Sequence, residues 1–198
     1  MPDAGRVNPL KSRRPLLRRR TTWAVLAVAV VAAVIGAAVF EPWKLVVDER
    51  VQEAVPAAAA AGVPAAAAGV PAPADPVVLA RGTLVSHEHE SSGSVAVLRL
   101  SDGSRVLRLE DLRTSNGPRL QVWLSDAPVL AGTDGWRVFD DGRHVDLGDL
   151  KGNIGSSNYP IPPDVDLAAL RSVSVWCARF HVSFAAAALT SATTASSG

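Results

Sequence analysis

Twenty residues from Thr21 to Phe40 carry no charge, and nothing else in the chain constrains its fold as firmly. At 1.5 Å per residue, a helix of that length covers about 30 Å, the thickness of a bilayer's hydrocarbon core. Trp23 and Trp43 stand near its two ends, and indoles favour the membrane interface. Residues 1–20 hold seven Lys/Arg against one acid, a bias that the positive-inside rule assigns to the cytoplasm. The expectation is a single-pass cell-membrane protein, anchored through residues 21–40, with residues 1–20 cytoplasmic and the rest extracytoplasmic. A cleaved signal peptide is the other reading, since Gly36 and Ala38 suit a cleavage site. The apolar stretch of a signal peptide is, however, usually only about 7–15 residues.

The 198 residues average to a net charge of +1 only because unlike parts cancel. Residues 1–20 sum to +6, residues 41–76 to −3 and residues 77–198 to −2. A mildly acidic C-terminal part argues against nucleic acid as a partner, which calls for a basic stripe on the fold itself. Cys177 is the sole cysteine. That excludes an intramolecular disulfide, a C-x-x-C redox pair, a C-x-x-C-H haem attachment and a multi-cysteine zinc site.

Residues 41–76 read as a stalk. Within them, positions 56–76 hold eleven Ala and five Pro, a composition from which no core can be built and in which proline interrupts any helix. In a polyproline-like form this run reaches about 65 Å. At the other end, residues 191–198 are Ser, Thr, Ala and Gly and are expected to fray as a disordered tail.

Between them, residues 77–190 carry a β pattern. Ser94–Leu100 and Arg105–Leu109 alternate across S-D-G-S, in which Asp102-Gly103 predicts a hairpin turn. Leu120–Leu124 is a further strand after the N-G-P turn at Asn116–Pro118. Val173, Val175 and Cys177 share one strand phase, and Phe180, Val182 and Phe184 the opposite one, so a bulge or tight bend is expected at Ala178–Arg179. Asp164–Leu170 and Ala185–Leu189 are the helical candidates, each one turn long. Trp123, Trp136, Trp176, Tyr159 and Phe180 read as core. The fold class is mainly β and sandwich-like.

Several segments together resemble a known family. They are H-E-S-S-G (His89–Gly93), D-G-S-R-V-L-R-L-E-D-L (Asp102–Leu112), N-G-P-R-L-Q-V-W-L-S (Asn116–Ser125) and L-G-D-L-K-G-N-I-G (Leu147–Gly155). N-Y-P-I-P (Asn158–Pro162) and W-C-A-R-F-H-V-S-F-A-A-A-A-L (Trp176–Leu189) complete the order. Over about 110 residues the chain is similar to the DM-thirteen electron-transfer domain family. The resemblance implies an extracytoplasmic β-sandwich-like module whose cysteine does redox work, as a bare thiol or by holding a group such as haem. By motif position that cysteine is Cys177.

Local residues bear on that role. Arg179 stands two positions on and would favour thiolate, and a side chain at the phase slip would be half exposed. His89 lies within the motif, and His181 would approach Cys177 only through a bend, so both join Cys177 as candidate cofactor ligands. On a straight strand, His87 and His89 would point the same way. Glycines 148, 152 and 155 faintly suggest a phosphate loop, but without G-K-[ST] or a β-α-β unit they read as turn glycines. Asp140–Asp141 beside Gly142 reads as turn chemistry. The chain contains no G-x-S-x-G and no H-E-x-x-H, so nothing points to a hydrolase. Two functions result. The leading one is electron transfer or thiol redox at the cell surface through Cys177, with a surface redox partner. The other is a non-catalytic binding module for cell-wall material or a surface partner, with Cys177 buried.

Overall fold

The computed structural model describes residues 14–45, 47–56 and 75–192. The chain divides into two units, one reaching Pro42 and one starting at Trp43. The first holds a single helix, α1 (Arg14–Phe40). Its portion Arg19–Phe40 has mean hydropathy 2.6 and is long and apolar enough to cross a membrane, as an anchor or as a signal sequence.

The second unit is a sandwich of two sheets. In chain order its strands are β1 (Arg50–Gln52), β2 (Val77–Thr83), β3 (Val85–Ser86), β4 (Ser92–Arg99), β5 (Arg105–Arg113) and β6 (Leu120–Ser125). They continue as β7 (His144–Asp149), β8 (Ile154–Ile161), β9 (Ser172–Cys177), β10 (Val182–Ala188) and β11 (Thr190–Ser191). One sheet runs β1-β8-β5-β4-β2-β11 and the other β3-β10-β9-β6-β7. All described pairings are antiparallel except β1 with β8.

Alternation explains most of this. Val95 and Val97, Leu107 and Leu109, Val122 and Leu124, and Val173 point from four strands into one shared core with Tyr159 and Ile161. Burying each such side chain contributes about 1.5–3 kcal/mol. The hairpin between β4 and β5 turns at Gly103, whose φ of 84° suits glycine. Asp102 accepts hydrogen bonds there from the backbone N–H and hydroxyl of Ser104. Asp166 closes one helical turn at Leu170, as expected.

The other helical candidate is overturned. Ala185–Ala188 lies in β10, where Ala185 and Ala187 face the shared core and Ala186 faces Trp123, Trp176 and Phe139. Both faces of this strand are covered, which leaves room only for methyl groups and overrides alanine's helix preference. The expected stalk and tail also change at their edges. Residues 50–52 join the sheet as β1, and Ser191 pairs with Ala80 in β11–β2. The Ala/Pro run 57–74 and residues 193–198 lie outside the described residues, as do 1–13.

Candidate functional site

Cys177 ends β9, between Leu120 of β6 and Val182 of β10. The phase slip in the sequence is a hairpin turn. Residues 178–181 reverse the chain, and His181 takes the left-handed conformation at φ 52°. Opposite them a second turn, Pro118–Arg119, leads into β6 with Arg119 at φ 54°. The Ala178 N–H donates to the Arg119 carbonyl at 3.0 Å, which ties the two turns together.

This arrangement closes over the sulfur. Cys177 is 0% exposed and packs with Leu120, Val175, Val182 and Phe184. Its thiol donates to the Pro118 carbonyl, with Sγ 3.3 Å from the oxygen. Half-exposure, expected from the phase slip, is therefore not found, because a hairpin turn rather than an open bulge separates the two phases. The expected shift toward thiolate is also reversed. Burial pushes the Cys177 thiol up, and Glu88's charge adds to that. The backbone N–H groups of Phe180 and Arg179 and the Arg179 charge offset it only in part.

The histidines do not gather round the sulfur. His181 projects from the turn on the side of Trp176, its ring edge-on to that indole at 6.4 Å. Its Nδ1 lies 2.9 Å from the Asp140 carboxylate, with the side chain 70% exposed. Trp176 and Cys177 are successive strand residues, so their side chains point to opposite faces, and His181 is placed away from the sulfur. His89 packs against Phe184 with the rings tilted by 46° and their centroids 3.9 Å apart, and its Nε2 meets the Glu88 carboxylate. It reaches the cysteine's cluster only through that phenyl ring.

His87 and His89 diverge, because residues 87–89 form a bend rather than a strand. His87 enters the opposite layer beside Phe139, with Nε2 donating to the Leu130 carbonyl at 3.0 Å and Nδ1 2.9 Å from the Ser183 hydroxyl. Burial pushes His87 below the usual histidine range. Among the described residues no group of three or more His, Cys, Asp or Glu could hold a metal ion.

Haem requires an open ligand position at the sulfur. The packing around Sγ and its bond to Pro118 do not fit an axial haem ligand, and neither His89 nor His181 converges on it. Three cavities, of about 400, 440 and 330 Å³, are lined by other residues. The aromatic expectation holds for Trp123, Trp176 and Tyr159, which are buried. It fails for Phe180, which is 46% exposed at the turn.

A family model described as "Electron transfer DM13" matches residues 83–189, more than half of the chain. The chain belongs to this family. No curated protein and no solved structure matches it. The DM-thirteen match covers β3 to β10 and both turns over Cys177. It leaves out β1, the segment 47–56 around it and nearly all of β2. Sequence reasoning found the cysteine by motif position. It missed Pro118 as its partner and the polar lining of β8, although N-G-P and G-N-I-G were both visible.

Proposed function

We propose that this protein is a membrane-anchored electron-transfer module with residues 1–20 cytoplasmic and the sandwich extracytoplasmic, in which Cys177 works as a guarded thiol. In the resting fold the sulfur is protonated and covered. It comes into play when the turns at Pro118–Arg119 and 178–181 part locally. The carrying observation is where the thiol sits. It lies at a strand end beneath two turns joined by one backbone hydrogen bond, not in the centre of the shared core.

The 178–181 turn is also held by Ala178, packed against the layer of Trp123, Trp176 and Phe139, and by the His181 ring edge-on to Trp176, while two further contacts lie at the surface. Arg137 donates to the Phe180 and His181 carbonyls at 3.3 Å, and His181 contacts Asp140 at the surface. Exposed contacts of this kind contribute about 1 kcal/mol or less. Once uncovered, the thiolate attacks a partner's disulfide. A mixed disulfide forms, the partner's leaving sulfur departs as thiolate, and the Cys177 proton passes to water.

Full burial and the raised thiol favour the second reading, a binding module with a structural cysteine. An aromatic disulfide reagent added to the native full chain separates the two. The redox reading predicts one equivalent of released thiolate, absent in Cys177→Ser, with the fold retained. No release until denaturant is added assigns the cysteine to packing.

A further inference from the structure

The edge of β8 is built to receive an extended segment. Residues 47–56 lie along it, with Arg50, Val51 and Gln52 paired in parallel to Ile154, Gly155 and Ser156. Backbone bonds continue at both ends, from Ile154 N–H to the Glu49 carbonyl at 3.2 Å and from Glu53 N–H to the Ser156 carbonyl at 2.8 Å. Gly152 and Gly155 let the segment come this close. A Cβ on Gly152 would stand 2.6 Å from the Glu49 oxygen, and one on Gly155 would stand 2.0 Å from the Val51 oxygen.

Side chains of the sandwich clamp the two ends. At the first, Asn153 is 0% exposed. Its Oδ1 accepts from the Glu49 N–H at 2.7 Å, and its Nδ2 donates to the Asp48 carboxylate at 2.9 Å and the Thr114 carbonyl at 2.8 Å. At the second, Arg108, 6% exposed, donates to the Glu53 and Ala54 carbonyls, both at 3.1 Å. The Glu53 carboxylate meets Lys151 Nζ at 2.8 Å and accepts the Asn158 N–H at 2.7 Å. Removing the segment would strip Asn153 of two partners and Arg108 of two. Asn153 would keep Thr114, and Arg108 would keep Glu110 and Asn158, so both stay positioned to receive a strand. Such a surface reads an extended backbone flanked by two carboxylates, the logic of β-strand addition.

We propose that the β8 edge is a binding site for an acidic extended peptide, occupied here by residues 47–56. Through it the sandwich is joined to the α1 side of the chain independently of the Ala/Pro run. Within the sandwich's own unit, residues 47–56 are then held to β8 by these bonds as well as by the chain that follows them. The segment lies outside the DM-thirteen match, whereas β8, on which it lies, falls within it.

The test inserts a protease site between Ala66 and Ala67 of the full chain in detergent. After cleavage, native mass spectrometry and size exclusion at micromolar concentration report whether the fragments stay together. Wild-type fragments should remain one species. Glu53→Lys and Asp48→Lys, both outside the core, should each lower the retained fraction at least tenfold while circular dichroism stays that of a β domain. A synthetic peptide of residues 47–56 in excess should displace the N-terminal fragment. Wild-type fragments that part on cleavage would overturn the proposal. So would lysine variants retained like wild type, or a peptide that displaces nothing.

Discussion

At the scale of single residues, the decisive contrast is between Cys177 and His87. The W-C-A-R-F-H-V motif made the cysteine legible, and the phase change made a bulge or tight bend legible. Burial was not, because the Pro118–Arg119 turn that closes over the sulfur comes from a distant part of the chain. Cys177→Ala removes a thiol that fills a closed site and donates to the Pro118 carbonyl. It should cost about 1 kcal/mol in chemical denaturation, in the range of small core truncations. His87 gave no sequence signal of burial, since S-H-E-H-E-S-S reads as solvated. Its neutral ring bonds Leu130 and Ser183, and burial holds its folded pKa below the unfolded value near 6.5. The unfolded chain therefore binds a proton more readily. Stability from this site is complete above about pH 6.5 and is lost as pH falls toward the lower folded value. Melting curves between about pH 7.5 and 5.5 should show a decline that His87→Gln flattens. An equal decline in the variant would remove His87 as its source.

At the scale of elements, strands whose shared-core residues recur at every second position were legible and the others were not. β4, β5 and β6 alternate because one side of each meets the shared core. The alanine half of β10 shows no period, since Ala185, Ala186 and Ala187 meet two packed layers. β1 shows none because three residues at a sheet edge are held by backbone bonds and polar clamps rather than by apolar burial. Glycines 152 and 155 were read as turn residues; Gly152 gives room to Glu49 and Val51, and Gly155 gives room to Val51 and also takes a φ of 112°. The β10 account carries a measurable consequence. Ala187→Leu, at a position with 0% exposure, should destabilise by about 1–3 kcal/mol through overpacking. The same change in a solvated helix would be nearly neutral, so urea titration distinguishes the two.

For the whole molecule, sheet order governs what the Ala/Pro run can do. β1 and β2 occupy positions four steps apart in one sheet, or about 19 Å at the usual strand spacing. Removing nine residues from 57–74 should leave the melting temperature unchanged. With all eighteen removed, the four residues left between Ala54 and Val77 span at most about 18 Å. The segment 47–56 should then detach and the melting temperature fall. An unchanged melting temperature in the full deletion would contradict this placement. The proposed orientation predicts that a reporter fused after Gly198 is active only outside the membrane, and cytoplasmic activity would reverse it. The central claim is that Cys177 is guarded by a local cover rather than sealed in the core. The most direct measurement compares its alkylation rate in the native chain with the global unfolding rate from hydrogen exchange of the slowest core amides. Local opening of the two turns predicts alkylation at least tenfold faster than global unfolding. Alkylation that keeps pace with global unfolding would contradict the guarded thiol and leave Cys177 as packing.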